Sequence, residues 1–459
     1  MPDLSAAAIA DPHFARGVRE QAAGRAVPAR RAFRKALRLW PGCAAAWSNL
    51  GLLHHDAGEF EQAAQCQQRA LALDPASYEA ALNLGAALSQ LGEDEAAEAA
   101  WRRAAQARPD HPAAWANLGA LLAGLQRDDD ALACCLHALK LAPGHAGARF
   151  NLGYLLLRQG RLAEGLACHE ARPAVAQIQA RLEGPRWGGE DLQGRSLLVV
   201  SDAGQGDLIQ MARYGRLLQA RGAGIVRLVG PPALKRLLTG VAGFDDVLDW
   251  QDLLPRGAWD VWTPAFSLPC LFGTELHSIP ADLPYLQPDV GRVAHWRERL
   301  QATESAGVLR VGLAWRGNPA HENDRERSLH DTAVLAPLAA VPGLRLLSLQ
   351  HGEDVVLPAG VEAAPGELGD FAETAALVAN LDLVISIDSA PAHLAGALGV
   401  PTWVLLNAHR SDWRWLQGRA DSPWYPRVMR LFRQPRRGDW AAVVADVASA
   451  LQAWAGTPR

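Results

Sequence analysis

Two architectures in series are predicted: an α-helical solenoid over residues 1 to 180, then an α/β region built of two doubly wound halves. Three observations carry this. Asn-Leu-Gly occurs at Asn49-Leu50-Gly51, Asn83-Leu84-Gly85, Asn117-Leu118-Gly119 and Asn151-Leu152-Gly153, each copy 34 residues after the last. A proline closes each unit at the same interval, at Pro41, Pro75, Pro109 and Pro143. Beyond Pro185-Arg186-Trp187-Gly188-Gly189-Glu190, which reads as a linker, helix pairs give way to short apolar runs alternating with helices, the pattern of a parallel sheet covered by helices.

The repeats come first. Small residues recur where two helices must touch, at Ala63, Ala97 and Ala131 and again at Ala70, Ala104 and Ala138. This spacing resembles the tetratricopeptide repeat, in which Trp47 and Trp115 occupy the aromatic position of the first helix. Units fall near 10 to 43, 44 to 77, 78 to 111, 112 to 145 and 146 to 179. The end units are degraded: Ala15 stands where the others have Asn, and Gly165 and Arg172 replace the small alanines, as in repeats that cap a stack. Stacked neighbours bury a continuous core and leave a concave groove.

The chain of 459 residues is too long for one core. Its 49% hydrophobic and 20% charged residues are those of a globular protein, and no apolar run approaches the roughly 18 residues of a membrane span. Ala6 to Ala10 is too short for a signal-peptide core and lacks a basic lead, so a cytoplasmic location is expected. The six cysteines (Cys43, Cys66, Cys134, Cys135, Cys168, Cys270) show no CxxC pair and read as small core residues of a reducing compartment. A net charge of -4 argues against a nucleic-acid partner. Lys occurs only at Lys35, Lys140 and Lys235, so Arg clusters carry less meaning than usual. Asp128-Asp129-Asp130 looks superficially like a metal-binding run, but its place in a repeat turn favours a solvated loop.

In the α/β region, 195 to 201 is a strand followed by Gly204-Gln205-Gly206-Asp207 and a helix from about Leu208 to Arg221. A strand at Ile225 to Val229, a helix at Pro232 to Leu238, a run at Asp245 to Leu248 and a strand at Trp259 to Trp262 complete this half. The alternation restarts after Pro288 with a helix near Val293 to Thr303 and strands at Val308 to Ala314 and Leu344 to Leu349. A helix at Phe371 to Asn380, a strand at Leu383 to Ile387, a helix at Ala392 to Leu398 and a strand at Thr402 to Leu406 follow. Two such halves imply a cleft at the carboxyl ends of their strands.

Two signals address that cleft. Gly204 and Gly206 permit close backbone approach, and a helix opens near Asp207. An Asp at this place is either an N-cap or a functional carboxylate. In the second half a strand ends in Asp388, the hydroxyl of Ser389 follows, and a helix opens near Pro391 and carries His393. That order suits a diphosphate, held by the N-H groups and positive potential of a helix start.

The segment Asp382 to Ser389 with His393-Leu394-Ala395-Gly396-Ala397-Leu398 resembles the donor-binding motif of glycosyltransferase family 9, the heptosyltransferases. The whole chain looks like bacterial proteins that fuse tetratricopeptide repeats to a GT-B domain of this kind. Several blocks carry the likeness: Gly204 to Tyr214, Trp315-Arg316-Gly317-Asn318-Pro319 with Asn323-Asp324-Arg325, Arg327-Ser328, Ser348-Leu349-Gln350, and Asp412-Trp413-Arg414-Trp415 with Trp424-Tyr425-Pro426. The resemblance implies a nucleotide-sugar donor as substrate, no cofactor, transfer without a metal and an inverting course. Asp207 matches the general base. Gly204, Gly206, Arg316, Asn318, Arg327, Asp388, Ser389 and His393 would face the donor, although His393 reads equally as a packing residue.

The chain departs from the fused group in two places. Asp202-Ala203 stands where a Glu-Gln pair is common, and with no Lys after Lys235 any cationic clamp must be Arg316, Arg325 or Arg327. The arginines from Arg410 to Arg437, mixed with Trp413, Trp415 and Trp424, are a composition able to stack on nucleic acid, but the matching block suggests a cleft edge or a crossover. The expected domains are therefore repeats at 1 to 180, an acceptor-side half at 181 to 288, a donor-side half at 289 to 440, and a final helix at 441 to 459 that packs back on the first half.

Asn49, Asn83, Asn117 and Asn151 share one position of successive repeats and would form a ladder that hydrogen-bonds an extended peptide, similar to the asparagine ladder of O-linked N-acetylglucosamine transferases. The alternative is that each Asn bonds within its own repeat. The expected function is transfer of a sugar to a protein acceptor held by the repeats. A glycan or lipid-linked acceptor, or a scaffold with a degenerate transferase domain, are the alternatives.

Overall fold

The computed structural model describes residues 4–252, 257–302, 307–321, 323–352 and 355–456. They form two compact units, Met1–Leu152 and Gly153–Arg459.

The first unit is a run of paired antiparallel helices: Leu4–Ala22 with Ala26–Leu39, Ala44–His55 with Phe60–Leu73, Tyr78–Leu91 with Asp94–Ala107, and Pro112–Gly124 with Asp128–Leu141. The repeated glycine explains the motif. A Cβ on Gly51, Gly85 or Gly119 would lie 2.7 Å from Gln67, 2.5 Å from Trp101 and 2.5 Å from Cys135, so the glycine lets these side chains of the second helix close against the first. Ala63, Ala97, Ala131, Ala70, Ala104 and Ala138 are buried at the same contacts. The aromatic position has a polar task as well, since the indoles of Trp47 and Trp115 donate to the carbonyls of Pro41 and Pro109. Asp128-Asp129-Asp130 is not a loop but the first turn of Asp128–Leu141, where acidic side chains favour the positive end of the helix. Cys43, Cys66 and Cys135 are buried in helix contacts, and burial pushes the Cys135 thiol up to about 12.

The fifth repeat, Ala146–Arg158 with Leu162–His169, leads into the second unit. The division after Leu152 falls earlier than the change of pattern near 180. Leu157, Leu162 and Leu166 share a core with Leu197, Val199 and Tyr214, so packing crosses the point where secondary structure changes.

In the second unit, β1 (Leu197–Val200), β2 (Val226–Gly230), β3 (Asp246–Asp249) and β4 (Val261–Pro264) form a parallel sheet in the order β3-β2-β1-β4. The helix expected over 208 to 221 starts at Gln205 and is broken at Ala212–Tyr214 by a tight turn. The helix expected at 293 to 303 spans Val290–Gln301, and Thr303 lies outside the described residues.

The second half is a six-stranded parallel sheet of β5 (Leu309–Ala314), β6 (Leu344–Ser348), β7 (Val361–Glu362), β8 (Leu383–Ile387), β9 (Thr402–Leu406) and β10 (Met429–Arg433), ordered β10-β9-β8-β5-β6-β7. Both edge strands escape the sequence reading. β7 has two residues, and Arg430 and Arg433 break the apolar run of β10, as charges on sheet edges do.

The final helix, Trp440–Ala455, does not pack back on the first half. Its stripe of Val443, Val444, Val447 and Leu451 is buried with Val311, Leu313 and Ile385 of the second sheet, because the short connection from β10 returns it to the face of its own half. The halves meet instead through Phe371, Leu394, Trp413, Trp415, Trp424 and Tyr425, which share the core of the first half. These indoles are buried, so they are not surfaces on which nucleic acid can stack.

Candidate active site

Each sheet reverses its strand order once, between β1 and β4 in the first and between β5 and β8 in the second. Segments leaving the carboxyl ends of β1, β5 and β8 converge there, as expected at a topological switch point. They line a cleft of about 610 Å³, within the range of small-molecule sites. Gly204, Gly206, Asp207, Arg316, Asn318, Arg327, Asp388, Ser389 and His393 all line it. Arg325 does not; it is exposed on the short helix Asp324–Arg327.

Asp207 is the third residue of Gln205–Met211, and Gly204 is the residue before that helix. One carboxylate oxygen of Asp207 accepts the Gly204 N–H at 2.8 Å. The other takes a charged hydrogen bond from Arg414 Nη2 at 2.5 Å. Asp207 is thus not the N-cap, a place that Gly204 takes, but the third helical residue, whose carboxylate ties down the turn and pairs with Arg414.

Arg414 is a cleft residue that the sequence leaves unassigned. It sits in the tight turn Trp413–Trp415, whose start is capped by Asp412 through the Arg414 N–H at 2.9 Å. Arg414 Nε also lies 3.3 Å from Asp412. Burial opposes the charge on Arg414, but Asp412, Asp207 and Asp388 together push its pKa up. Burial raises Asp412 to about 6 against the pull of Arg414. The only signal for this role was the block Asp412-Trp413-Arg414-Trp415.

Gly206 has a use other than approach to a ligand. A Cβ there would lie 2.8 Å from His393 and 3.2 Å from Ala390, so the glycine lets Gln205–Met211 rest on Ala390–Ala397. His393 in turn is mostly a packing residue. It is 2% exposed, its Nδ1 shares a hydrogen bond with the Tyr425 hydroxyl at 2.9 Å, and its ring stacks on Trp415. Burial, reinforced by Arg414 and Arg213, drives its pKa well down, so the ring is neutral and its 3.9 Å approach to Asp388 is a polar contact, not an ion pair. Ser389 precedes Ala390–Ala397 with Pro391 in the first turn, and its hydroxyl bonds Ser386 at 3.1 Å without capping the helix.

The cationic wall comes from the loop after β5. Gln350 accepts the N–H groups of Trp315 and Arg316 at 2.8 Å each and donates to the Arg316 carbonyl at 3.1 Å, which fixes that loop. Ser328 accepts the Gly317 N–H at 2.9 Å and donates to Asp324 at 2.6 Å. Arg327 lies against Gly317, where a Cβ would stand 2.7 Å from its guanidinium, and donates to the Asp388 carbonyl at 3.3 Å. Asn318 uses its side-chain oxygen on the Ala320 N–H.

Asn49, Asn83, Asn117 and Asn151 are all half-buried on the first helices of their repeats. Asn49 donates to Ala45 in its own helix, and Asn151 donates to the Ala116 carbonyl of the preceding repeat. Among the described residues the carboxamides of Asn83 and Asn117 make no hydrogen bond. Asn49 and Asn151 are thus committed to internal bonds, and Asn83 and Asn117 are not. Among the described residues no group of three or more His, Cys, Asp or Glu is placed to hold a metal ion, and no helix is long and apolar enough to cross a membrane.

Tetratricopeptide repeat models match residues 14–78, 56–98, 82–146 and 134–167. The model of glycosyltransferase family 9 (heptosyltransferase) matches residues 366–415, from the loop before Phe371–Val378 to Trp415. Protein FlbA of Caulobacter vibrioides is 28% identical over 316 residues, covering 62% of this chain; the match spans 51% of that relative's length. Similar solved structures include MamA (23% identity, 38% of this chain and 95% of that one, TM-score 0.33). They also include YrrB, described as a tetratricopeptide repeat protein with an unusual peptide-binding site (21%, 37% and 86%, TM-score 0.31).

Proposed function

We propose that this chain, which carries tetratricopeptide repeats ahead of a glycosyltransferase family 9 region, moves a sugar from a nucleotide-sugar donor to a protein acceptor. The observation that carries the reading is one cleft lined both by the Asp207 carboxylate, held by Arg414 and Gly204, and by the cations Arg316 and Arg327, together with the start of Ala390–Ala397. A diphosphate would rest against the cations and that helix start. Asp207 would take the acceptor proton as the sugar-phosphate bond breaks, with inversion at the sugar carbon. Because Arg316 and Arg327 supply positive charge at the leaving group, no metal is required in this reading. Activity should persist in EDTA.

Thermal denaturation with UDP-, GDP-, ADP-, dTDP- and CMP-sugars tests the donor site, since a ligand that binds only the folded state raises the melting temperature by mass action. One nucleotide class should stabilise the parent and not the Arg316→Ala/Arg327→Ala double variant. Stabilisation that survives both substitutions would move the diphosphate elsewhere.

For the acceptor, the available carboxamides of Asn83 and Asn117 favour peptide backbone, which they can bond without reading side chains. Replacing both by Ala should weaken protein-acceptor binding by roughly tenfold, as expected for the loss of two hydrogen bonds of about 0.5–1.5 kcal/mol each. Donor hydrolysis should be unchanged. A double variant that modifies its protein acceptor as well as the parent would leave a glycan or lipid-linked acceptor as the better reading.

A further inference from the structure

The two oddities of the sequence that the cleft leaves unused meet each other. Arg172 stands where earlier repeats have Ala70, Ala104 and Ala138, and Asp202 stands just ahead of the glycine-rich turn. Arg172 Nε donates to Asp202 Oδ2 at 2.8 Å, and Nη2 lies 2.7 Å from the same oxygen. The two side chains are 7% and 1% exposed, so this is an interior ion pair. Arg172 also donates to Ser267 Oγ at 2.7 Å and to Glu170 at 2.9 Å, while the second Asp202 oxygen accepts the Phe266 N–H at 2.9 Å.

Burial raises the pKa of Asp202 in spite of Arg172, so its charge depends on that partner. Breaking one side of a buried pair strands the other.

A second strut leaves the same repeat. The Tyr154 hydroxyl donates to the Ser411 carbonyl at 2.9 Å, three residues before Arg414. The ring of His169 packs against both Phe266 and Trp413. One repeat therefore grips both segments that bring Asp207 and Arg414 together: the turn that begins at Asp202, and the crossover that begins at Ser411.

We propose that the fifth repeat is the jig that holds Asp207 against Arg414, with Arg172 and Tyr154 as positioning residues. The proposal rests on reading Asp207 as the base. Small hydrophobic residues would pack this site equally well, as they do in the other repeats, whereas a multiply bonded ion pair fixes direction as well as distance. A displacement of about 1 Å at a reacting group can cost roughly 100-fold in rate.

The test uses the full chain with Arg172→Gln, Arg172→Lys, Asp202→Asn and Tyr154→Phe, the last of which removes one hydroxyl only and should fold. Hydrogen exchange is measured without ligand in peptides covering 200–213, 408–416 and, as a reference, 383–398. Arg172→Gln and Asp202→Asn should speed exchange in 200–213, and Tyr154→Phe in 408–416, with the reference unchanged. Nucleotide release from the nucleotide sugar that most stabilises the parent should lose kcat by roughly 100-fold in Arg172→Gln at unchanged KM, with partial recovery in Arg172→Lys. Parent-like exchange in all variants overturns the proposal, even if Asp207→Ala abolishes transfer. Faster exchange as described, with transfer intact in Asp207→Ala, keeps the jig and removes the base assignment instead.

Discussion

Replacing Asp207 with Ala is expected to lower sugar transfer by about 100- to 10,000-fold, the usual contribution of a positioned general base. Nucleotide-sugar binding should be retained. The geometry gives both halves of this expectation. Asp207 lines the cleft, yet the cations Arg316 and Arg327 are held by other contacts, with Gln350, Ser328 and Gly317, so the donor loses no partner. The Gly204 N–H does lose its acceptor, and Asp207→Asn separates that effect because the amide oxygen can still receive it. The measurement is kcat and donor affinity for both variants. Transfer within about threefold of the parent in a folded Asp207→Ala would fall far short of a base's contribution and assign the proton to another group.

Arg414→Ala has the second large effect, on stability as well as rate. It removes the cation that Asp207, Asp412 and Asp388 share, in a site where Arg414 itself is 6% exposed. Removing one partner of a buried pair typically costs about 3–5 kcal/mol. The sign of the pH dependence follows. Asp412 already binds its proton more tightly folded than unfolded, at about 6 against 3.8, so its contribution is fully present below the unfolded value and is lost as pH rises through about 6. Loss of Arg414, which lowers the Asp412 value, raises it further. The melting temperature of Arg414→Ala should therefore fall more steeply with rising pH than that of the parent, and Arg414→Lys should recover part of it. Parallel pH profiles for parent and variant would mean that Arg414 does not hold the cluster together.

The repeats were legible because each helix pair repeats its own contacts: Gly51 against Gln67, Gly85 against Trp101 and Gly119 against Cys135 are local events that leave a period of 34. The central strands were legible because both faces are buried and their residues run apolar. Edge strand β10 was not, since one side of an edge accepts Arg430. The cleft was legible at Asp207, Asp388 and Ser389, where a strand end, a glycine turn or a helix start marks the place, and at Arg316 and Arg327 through the family resemblance. Its connections were not. Arg414 lies 207 positions from Asp207, and Arg172 and Asp202 looked like separate departures from a pattern when they are partners. The final helix was misplaced for the same reason: its stripe of Val443, Val444, Val447 and Leu451 announces a buried face and leaves unstated which sheet covers it.

The measurement that most directly tests the account is turnover of a nucleotide sugar by the full chain in the presence of EDTA, with released nucleotide and sugar on a protein acceptor both quantified. The account predicts one class of donor that is consumed, equal amounts of nucleotide and transferred sugar, and loss of both in Asp207→Ala. A folded protein that binds and consumes none of the UDP-, GDP-, ADP-, dTDP- or CMP-sugars, or that consumes one equally well without Asp207, would contradict it.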